Sequence, residues 1–326
     1  MTTRETLIQS FLQITPWTHA DRFAMASDAS GRSYERLTMG DKTAILMNSP
    51  YESGEDVRPF VAVTNMLAGF GLTPPKILAQ DIKNGFLLLS DLGNDLFAHV
   101  CKRTPTLERS LYAAAIDVLV ALHKNTAPKS LPPYDDAVYL REAKLLTQWY
   151  MHVGDNAVFD TICAKIFSKI PSQNPVLVMR DYHAENLLWL ADGVGVNRVG
   201  LLDYQDALAG HSAYDLVSLL EDARRDTTPA LRTEMLERYI TNSGVDRDPF
   251  LATYAVLGAQ RNMKIIGIFA RLSLRDGKAR YVDLIPRVWD HLMHDLEHPA
   301  CGELSLWIAE NAPPPSRAYL ATLVTS

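Results

Sequence analysis

Short apolar runs alternate with turn-forming residues along the first ninety positions of the chain. Runs of this length that are bounded by turn residues are typical of β-strands. The runs lie at 21–27, 34–39, 42–48, 76–80 and 86–89. The residues between them favour turns, at 28–33, at Gly40-Asp41 and at Asn84-Gly85, where the Asn-Gly pair suits the positive φ of a short hairpin. The pattern predicts a five-stranded antiparallel sheet.

Apolar residues recur at helical spacing in other parts of the chain. Phe60, Val63 and Leu67 share one face of a predicted helix over 55–70, which nearby glycines bring to an end. Further helical periods are predicted at 106–123, 138–151 and 249–274. We therefore predict an α+β fold with a small sheet-containing N-terminal lobe and a larger, mainly helical C-terminal lobe. The two predicted lobes are residues 1–92 and 93–326.

Three short apolar runs interrupt the helical part, at 176–179, 187–190 and 199–202. Runs of four apolar residues that end in polar positions are consistent with buried strands. We expect these runs to form a small strand-containing island, with polar loops that carry chemistry between the strands.

Composition limits the classes of function. A chain of 326 residues with 47% apolar and 21% charged residues is typical of a packed globular protein. The net charge of −6 and the lack of a long Lys or Arg run predict no nucleic-acid partner. Three distant cysteines favour neither a disulfide framework nor a metal cluster. Because no window approaches the roughly 18 apolar residues of a membrane span, and the N-terminus does not resemble a signal peptide, a cytoplasmic protein without a membrane partner is expected.

Polar side chains stand where the island's runs begin or end. Asp181 follows the first run, Asn186 precedes the second and Asp203 follows the third. Phosphoryl transfer needs a carboxylate that orients or deprotonates the attacking hydroxyl, and oxygen ligands that hold Mg²⁺ against the β- and γ-phosphates. An Asp followed five positions later by an Asn arises by chance about once in such a chain. The placement of all three residues at strand ends therefore favours a kinase, with loop caps and solvated acids as the alternative.

The segments 179–186, 202–206 and 210–216 resemble the aminoglycoside phosphotransferase family, a branch of the protein-kinase-like superfamily. The resemblance extends over nearly the whole chain. It implies the bilobal kinase fold, with nucleotide bound by the N-terminal lobe and the acceptor by the C-terminal lobe. It also implies ATP as co-substrate and Mg²⁺ as cofactor.

The resemblance assigns roles to individual residues. Asp181 matches the family's catalytic aspartate, and Asn186 and Asp203 match its metal ligands. Asp215 matches an aspartate that braces the catalytic loop, and Arg180 is likewise expected to be structural.

Three further segments indicate a subgroup of this family. Residues 85–93, 202–207 and 258–264 are similar to bacterial kinases that phosphorylate the anomeric hydroxyl of N-acetylmuramate and N-acetylglucosamine. The function this implies is transfer of the γ-phosphoryl of ATP to a sugar hydroxyl. Aminoglycosides and choline-type or homoserine-type alcohols stay open as acceptors. A nucleotide-binding pseudokinase and a sugar-binding interaction protein are the non-enzymatic alternatives.

The nucleotide is expected to contact two loops of the N-terminal lobe. Ser30, Gly31, Arg32 and Ser33 lie where a phosphate-covering loop belongs, although outside this context they would read as an ordinary hairpin turn. A hinge that meets adenine is expected after the fifth strand, where any linker would look similar. The hinge residues are Ser90, Asp91 and Leu92.

The sequence departs from the family pattern at two places. Met179 replaces a common histidine before the catalytic aspartate, at a position that packs beneath the loop. The third strand lacks the lysine that holds the α- and β-phosphates in kinases. Lys42, Arg32 and Arg58 are the cations that could replace it, and the sequence does not choose among them.

Candidate acceptor residues lie on two helical segments. A sugar pocket uses an aromatic platform and charged groups within hydrogen-bond reach of hydroxyls. The candidates are Glu142, Trp149, Tyr150, Arg261, Asn262 and Lys264. The alternative is that the aromatic residues belong to the core and the cations to a solvated helix face. His183 has no second His or Cys at a metal-ligand spacing, so it is expected to contact the substrate or to support the loop.

Overall fold

The computed structural model describes residues 3–25, 31–172 and 174–324. The chain forms two compact units, Met1–Pro105 with Glu185–Asp206, and Thr106–Ala184 with Ala207–Ser326. The first unit thus extends past residue 92 and takes in a segment from the middle of the chain. The functional boundary after residue 92 stays a prediction.

The first unit contains the predicted five-stranded antiparallel sheet, which is confirmed. Its strands are β1 (Asp21–Ala24), β2 (Ser33–Met39), β3 (Lys42–Asn48), β4 (Ile77–Asp81) and β5 (Phe86–Ser90). Their order is β1-β2-β3-β5-β4. Gly85, before β5, has φ +70°, and a Cβ there would lie 2.0 Å from the carbonyl oxygen of Ser49. This turn therefore requires glycine, as its sequence predicts.

A helix that the sequence pattern did not predict, α1 (Arg4–Gln13), covers one face of this sheet. Its buried residues pack with alternate residues of β2, β3 and β5, among them Ala44. Side chains of a strand alternate between the two faces of a sheet. Lys42 therefore shares the α1-covered face with Ala44, whereas Ile45 and Met47 lie on the opposite face.

Two further helices and a hairpin complete the first unit. They are α2 (Val57–Gly69), α3 (Phe97–Arg103), and the antiparallel strands β7 (Leu187–Trp189) and β8 (Val199–Leu201). The hairpin is fastened within this unit by a bridge between Leu96 and Leu188 and by one between Thr73 and Gly200. A Cβ on Gly200 would lie 3.0 Å from the Leu92 side chain, so the glycine permits close packing there.

The second unit is mainly helical. Its helices are α4 (Glu108–Leu122), α5 (Asp136–Ala143), α6 (Ala157–Phe167), α7 (Ala213–Leu220), α8 (Pro229–Ser243), α9 (Arg247–Leu274), α10 (Ile285–Asp295), α11 (Gly302–Asn311) and α12 (Arg317–Thr322). Two strands, β6 (Val176–Val178) and β9 (Leu208–Gly210), pair antiparallel. No helix in the described part of the chain is long and apolar enough to cross a membrane.

The predicted helix over 138–151 is interrupted. After α5 the chain forms a short π-helix, Leu146–Tyr150. Gly267 of α9 lies against the backbone just before this turn, where a Cβ would come within 2.3 Å of the Leu145 carbonyl carbon. The close approach of α9 accompanies the change in helix geometry, and the pattern of apolar residues does not reveal it.

Candidate active site

Asn186 and Asp203 lie side by side in the first unit, at the two ends of the β7–β8 hairpin. The backbone N–H of Leu202 donates to the carbonyl of Asn186 at 2.9 Å, which continues the strand pairing to the site. The Asn186 amide nitrogen lies 3.4 Å from Asp203 Oδ2, and Gln205 Nε2 donates to Asp203 Oδ1 at 2.8 Å. Asp203 has φ +56°. A non-glycine residue in this conformation is costly and is common at functional sites.

The residue after Asp203 anchors this pair on α2. The Tyr204 ring stacks on Phe60 with centroids 5.1 Å apart, and its hydroxyl lies 2.8 Å from Thr64 Oγ1. Both partners belong to α2. The packing therefore fixes where the exposed carboxylate of Asp203 projects.

The oxygen atoms of Asn186 and Asp203 suit Mg²⁺. The described residues contain no group of three or more His, Cys, Asp or Glu side chains that could hold a metal ion. Mg²⁺ commonly takes one or two protein oxygens and completes its shell with water and substrate phosphates. An amide and a carboxylate beside each other therefore fit a metal that arrives with a nucleotide.

Asp181 belongs to the second unit and is surrounded there by positive charge. Burial alone would raise the pKa of its carboxyl, but the neighbouring basic side chains outweigh burial and lower it. These neighbours are Lys264, His183, Arg261 and Arg180. Asp181 is consequently ionised at neutral pH and can accept a proton or a hydrogen bond from a hydroxyl.

Helix α7 holds the loop that carries Asp181. The buried carboxylate of Asp215 accepts the backbone N–H of Met179 at 2.7 Å and that of Arg180 at 2.8 Å. Ser218 Oγ donates to the carbonyl of Arg180 at 3.1 Å. Arg180 has φ +72°, a strained conformation that these bonds stabilise. Met179 is buried beneath the loop.

Glu142 lies in the second unit with two of the cations that surround Asp181. Its carboxylate is buried and pairs with Arg180 Nη2 at 2.5 Å and with Lys264 Nζ at 3.4 Å. It also accepts from the Tyr134 hydroxyl at 2.5 Å and from Gln260 Nε2 at 3.3 Å. These partners hold Glu142 beside the cations, and its direct contact with the acceptor stays a prediction.

Two other acceptor candidates are also held inside the second unit. Asn262 is fully buried, and its amide donates to Glu221 at 2.8 Å and to Asp295 at 2.9 Å. The Tyr150 ring is buried and its hydroxyl donates to the carbonyl of Pro313. Both side chains are thus held in the core of the second unit, and a contact of either with the acceptor stays a prediction. Trp149 beside Tyr150 is half-buried.

Arg261 and Lys264 are the acceptor candidates that the second unit groups with Asp181. Arg261 Nη2 donates to Ser218 Oγ at 2.8 Å, and Lys264 Nζ lies 3.3 Å from the Tyr214 hydroxyl. Both side chains lower the pKa of Asp181. Ser218 and Tyr214, which orient these cations, were missed because no motif or spacing in the sequence marks them.

The nucleotide-binding candidates occupy different parts of the first unit. Ser30 lies outside the described residues. Gly31 N and Arg32 Nη2 contact the Glu55 carboxylate at 3.2 and 2.7 Å. Ser33 Oγ accepts from the Asn48 amide at 3.1 Å. Sequence reasoning missed Glu55, because in the sequence it looks like an ordinary acidic residue of a solvated loop.

The hinge candidates bond to β2, to the residue before β4 and within the hinge itself. Ser90 Oγ accepts the backbone N–H of Lys76 at 2.8 Å. The Asp91 carboxylate pairs with Arg36 Nε at 2.7 Å and accepts the N–H of Gly93 at 2.9 Å. Contact of this hinge with adenine stays a prediction.

Comparison with known proteins gives concordant results. Residues 24–251 match the model of the phosphotransferase enzyme family APH. An N-acetylmuramate/N-acetylglucosamine kinase of Caulobacter vibrioides is 36% identical, covering 96% of this chain and 98% of the relative. A kinase of the same name from Pseudomonas aeruginosa is 39% identical, covering 84% and 83%. The structure of a choline/ethanolamine kinase family protein from Mesorhizobium loti matches with a TM-score of 0.62 at 12% identity, covering 98% of this chain and 99% of the other, and shows the likeness of fold.

Proposed function

The chain belongs to the APH phosphotransferase enzyme family, and from this premise we propose that it phosphorylates the anomeric hydroxyl of N-acetylmuramate or N-acetylglucosamine. It is an ATP-dependent phosphotransferase whose acceptor group is an alcohol. The observation that carries the substrate proposal is the similarity to two amino-sugar kinases, which extends over most of both chains.

The chemistry proposed for Asp181 follows from its ionised state. Its carboxylate accepts the proton of the C1 hydroxyl while the new O–P bond forms and the bond to the ADP leaving group breaks. Asn186 and Asp203 would hold Mg²⁺, which when bound offsets the negative charge of the phosphate oxygens. The metal ligands and the base thus have separate roles.

The charges around Asp181 favour an amino sugar over a cationic acceptor. Arg180, Arg261 and Lys264 lower the pKa of Asp181 despite its burial, and Glu142 pairs with two of these three cations, so one more cation than paired acid faces the carboxylate among these residues. A polycationic aminoglycoside or the quaternary amine of choline would be repelled there. A lactyl carboxylate on the acceptor, as in N-acetylmuramate, would be attracted.

A transfer assay tests the proposed function. In each reaction the chain is incubated with Mg²⁺, γ-labelled ATP and one acceptor. The acceptors are N-acetylglucosamine, N-acetylmuramate, kanamycin, choline and homoserine. We expect label on the two amino sugars. Asp181→Asn should lower kcat by about 10²- to 10⁴-fold while ATP affinity changes by less than about 5-fold. Label on kanamycin or choline and none on the sugars would contradict the proposal.

A further inference from the structure

The third strand offers no cation on the face where a kinase carries its phosphate-binding lysine. In protein kinases that lysine pairs with a glutamate of the following helix. In β3 the residues opposite the α1-covered face are Thr43, Ile45 and Met47. The cation that holds the nucleotide phosphates must therefore come from another element.

Lys42 is excluded by its place in the β2–β3 hairpin. It pairs with Met39 at the turn, whereas Ser33 pairs with Asn48 at the other end. Six residues of strand separate the two ends, which is about 20 Å. Lys42 is exposed and shares the α1-covered face with Ala44. Both its distance from the Ser33 end of the hairpin and its face of the sheet are therefore unsuitable for binding the nucleotide phosphates.

Arg58 is excluded by its exposure and by its partner. Its side chain is 70% exposed, and its guanidinium donates to both oxygens of Asp56, two residues earlier. Asp56 also caps α2 through the backbone N–H of Arg58. This pair is a local cap at the helix start.

Arg32 has the features of a phosphate-binding cation. Its side chain is only 9% exposed, and Nη2 lies 2.7 Å from Glu55 Oε2. Glu55 also accepts the backbone N–H of Gly31 at 3.2 Å and precedes α2 by two positions. A buried cation is thus held by a carboxylate from just before the following helix, much as in kinases, although the cation comes from the residue before β2 and not from β3.

Tyr34 links Arg32 to the metal pair. Tyr34 pairs across the sheet with Met47 on the face opposite α1, and Arg32 lies directly before β2. Burial raises the pKa of the Tyr34 hydroxyl, Arg32 lowers it and Asp203 raises it. Both charges therefore act on the same phenol of the first unit.

We propose that Arg32, held by Glu55, binds the terminal phosphates of ATP in place of the strand-three lysine. The inference deepens the proposed function and rests on it for the identity of the nucleotide. A guanidinium presents two parallel N–H donors to phosphate oxygens and stays charged at any physiological pH. The Glu55 carboxylate holds this guanidinium in place at 2.7 Å.

Binding measurements test the proposal without requiring turnover. Calorimetry measures the affinity of the chain for a non-hydrolysable ATP analogue in the presence of Mg²⁺. It also measures the affinity for adenosine, which lacks the phosphates. Arg32→Gln should weaken binding of the analogue by about 10- to 100-fold and leave adenosine affinity within about 2-fold. Arg32→Lys should recover part of the lost affinity, since it restores the positive charge without the two parallel N–H donors of a guanidinium. Lys42→Ala and Arg58→Ala are the matched controls and should bind the analogue like the unaltered chain.

The outcomes separate the two proposals. An Arg32→Gln chain that binds the analogue normally, or a Lys42→Ala chain that loses it, overturns the assignment of Arg32. Equal losses of adenosine and analogue affinity also overturn it, because they indicate a structural role. If Arg32 governs analogue binding but no sugar is phosphorylated in the transfer assay, the phosphate contact stands and the substrate proposal fails. If Arg32→Gln does not fold, Arg32→Lys provides the test. Unchanged affinity of Arg32→Lys for both the analogue and adenosine would then contradict the proposed contact of the Arg32 guanidinium with the phosphates.

Discussion

The bonds from Asp215 to the loop of Asp181 allow a quantitative prediction. Asp215→Ala removes the acceptor of two backbone N–H groups, those of Met179 and Arg180. A buried donor left without a partner costs about 1–3 kcal/mol, so the pair predicts a loss of about 2–6 kcal/mol in the free energy of unfolding. Arg180, which is strained at φ +72°, would lose the bond to its N–H. We therefore expect kcat to fall together with stability.

Urea unfolding at pH 5 and pH 8 measures this loss. Burial raises the pKa of Asp215 to about 7, against the lowering effect of the two N–H bonds. Since this pKa is raised above the unfolded value, the favourable contribution of Asp215 is complete below about pH 4 and is lost as pH rises toward about 7. The cost of Asp215→Ala should accordingly be smaller at pH 8 than at pH 5.

A matched control separates this effect from a general effect of removing a carboxylate. Asp160 pairs with Lys144 at 2.9 Å on α6 and is partly exposed. Asp160→Ala should cost less than about 1 kcal/mol and leave kcat unchanged. A loss below about 1 kcal/mol for Asp215→Ala, with full kcat retained, would refute the conclusion that α7 holds the loop.

Two further predictions concern other carboxylates. Asp203→Asn should abolish the Mg²⁺-dependent part of ATP binding in calorimetry with and without the metal, because the ion loses its charged protein ligand; undiminished Mg²⁺ dependence would remove Asp203 from the metal site. Burial and the adjacent Glu221 carboxylate raise the pKa of Asp295 well above its ordinary value. The contribution of Asp295 to stability is therefore lost as pH rises from about 4 toward the pKa of Asp295 in the folded state. Asp295→Asn should reduce the loss of unfolding free energy between pH 5 and pH 8, and an unchanged pH dependence would show that Asp295 does not hold the proton.

The N-terminal sheet was predictable because its signals are local. Alternating strands and turn residues such as Asn84-Gly85 predict the hairpins without knowledge of the rest of the chain. Helix α1 was missed because it buries only three of its residues, Ile8, Phe11 and Leu12, which makes a weak helical pattern. Strand β9 was missed because three residues give too little alternation to detect.

The candidate site residues at strand ends could be predicted from the sequence. The side chains that hold them in place could not. The short apolar runs place Asp181, Asn186 and Asp203, since each lies next to a strand. The pairing of Arg32 with Glu55 depends on how a helix start packs near a hairpin, which spacing along the chain does not encode. The burial of Glu142 likewise depends on partners more than a hundred positions away, such as Gln260.

The position of the transferred phosphate tests the central claim most directly. Phosphorus NMR of the product made from N-acetylglucosamine and ATP should show a phosphate coupled to the sugar's C1 proton. That phosphate should be released in mild acid, because its departure gives an oxocarbenium ion stabilised by the ring oxygen. The methyl glycoside, with C1 blocked, should not react. An acid-stable product, or full activity on the methyl glycoside, would contradict the proposed anomeric transfer.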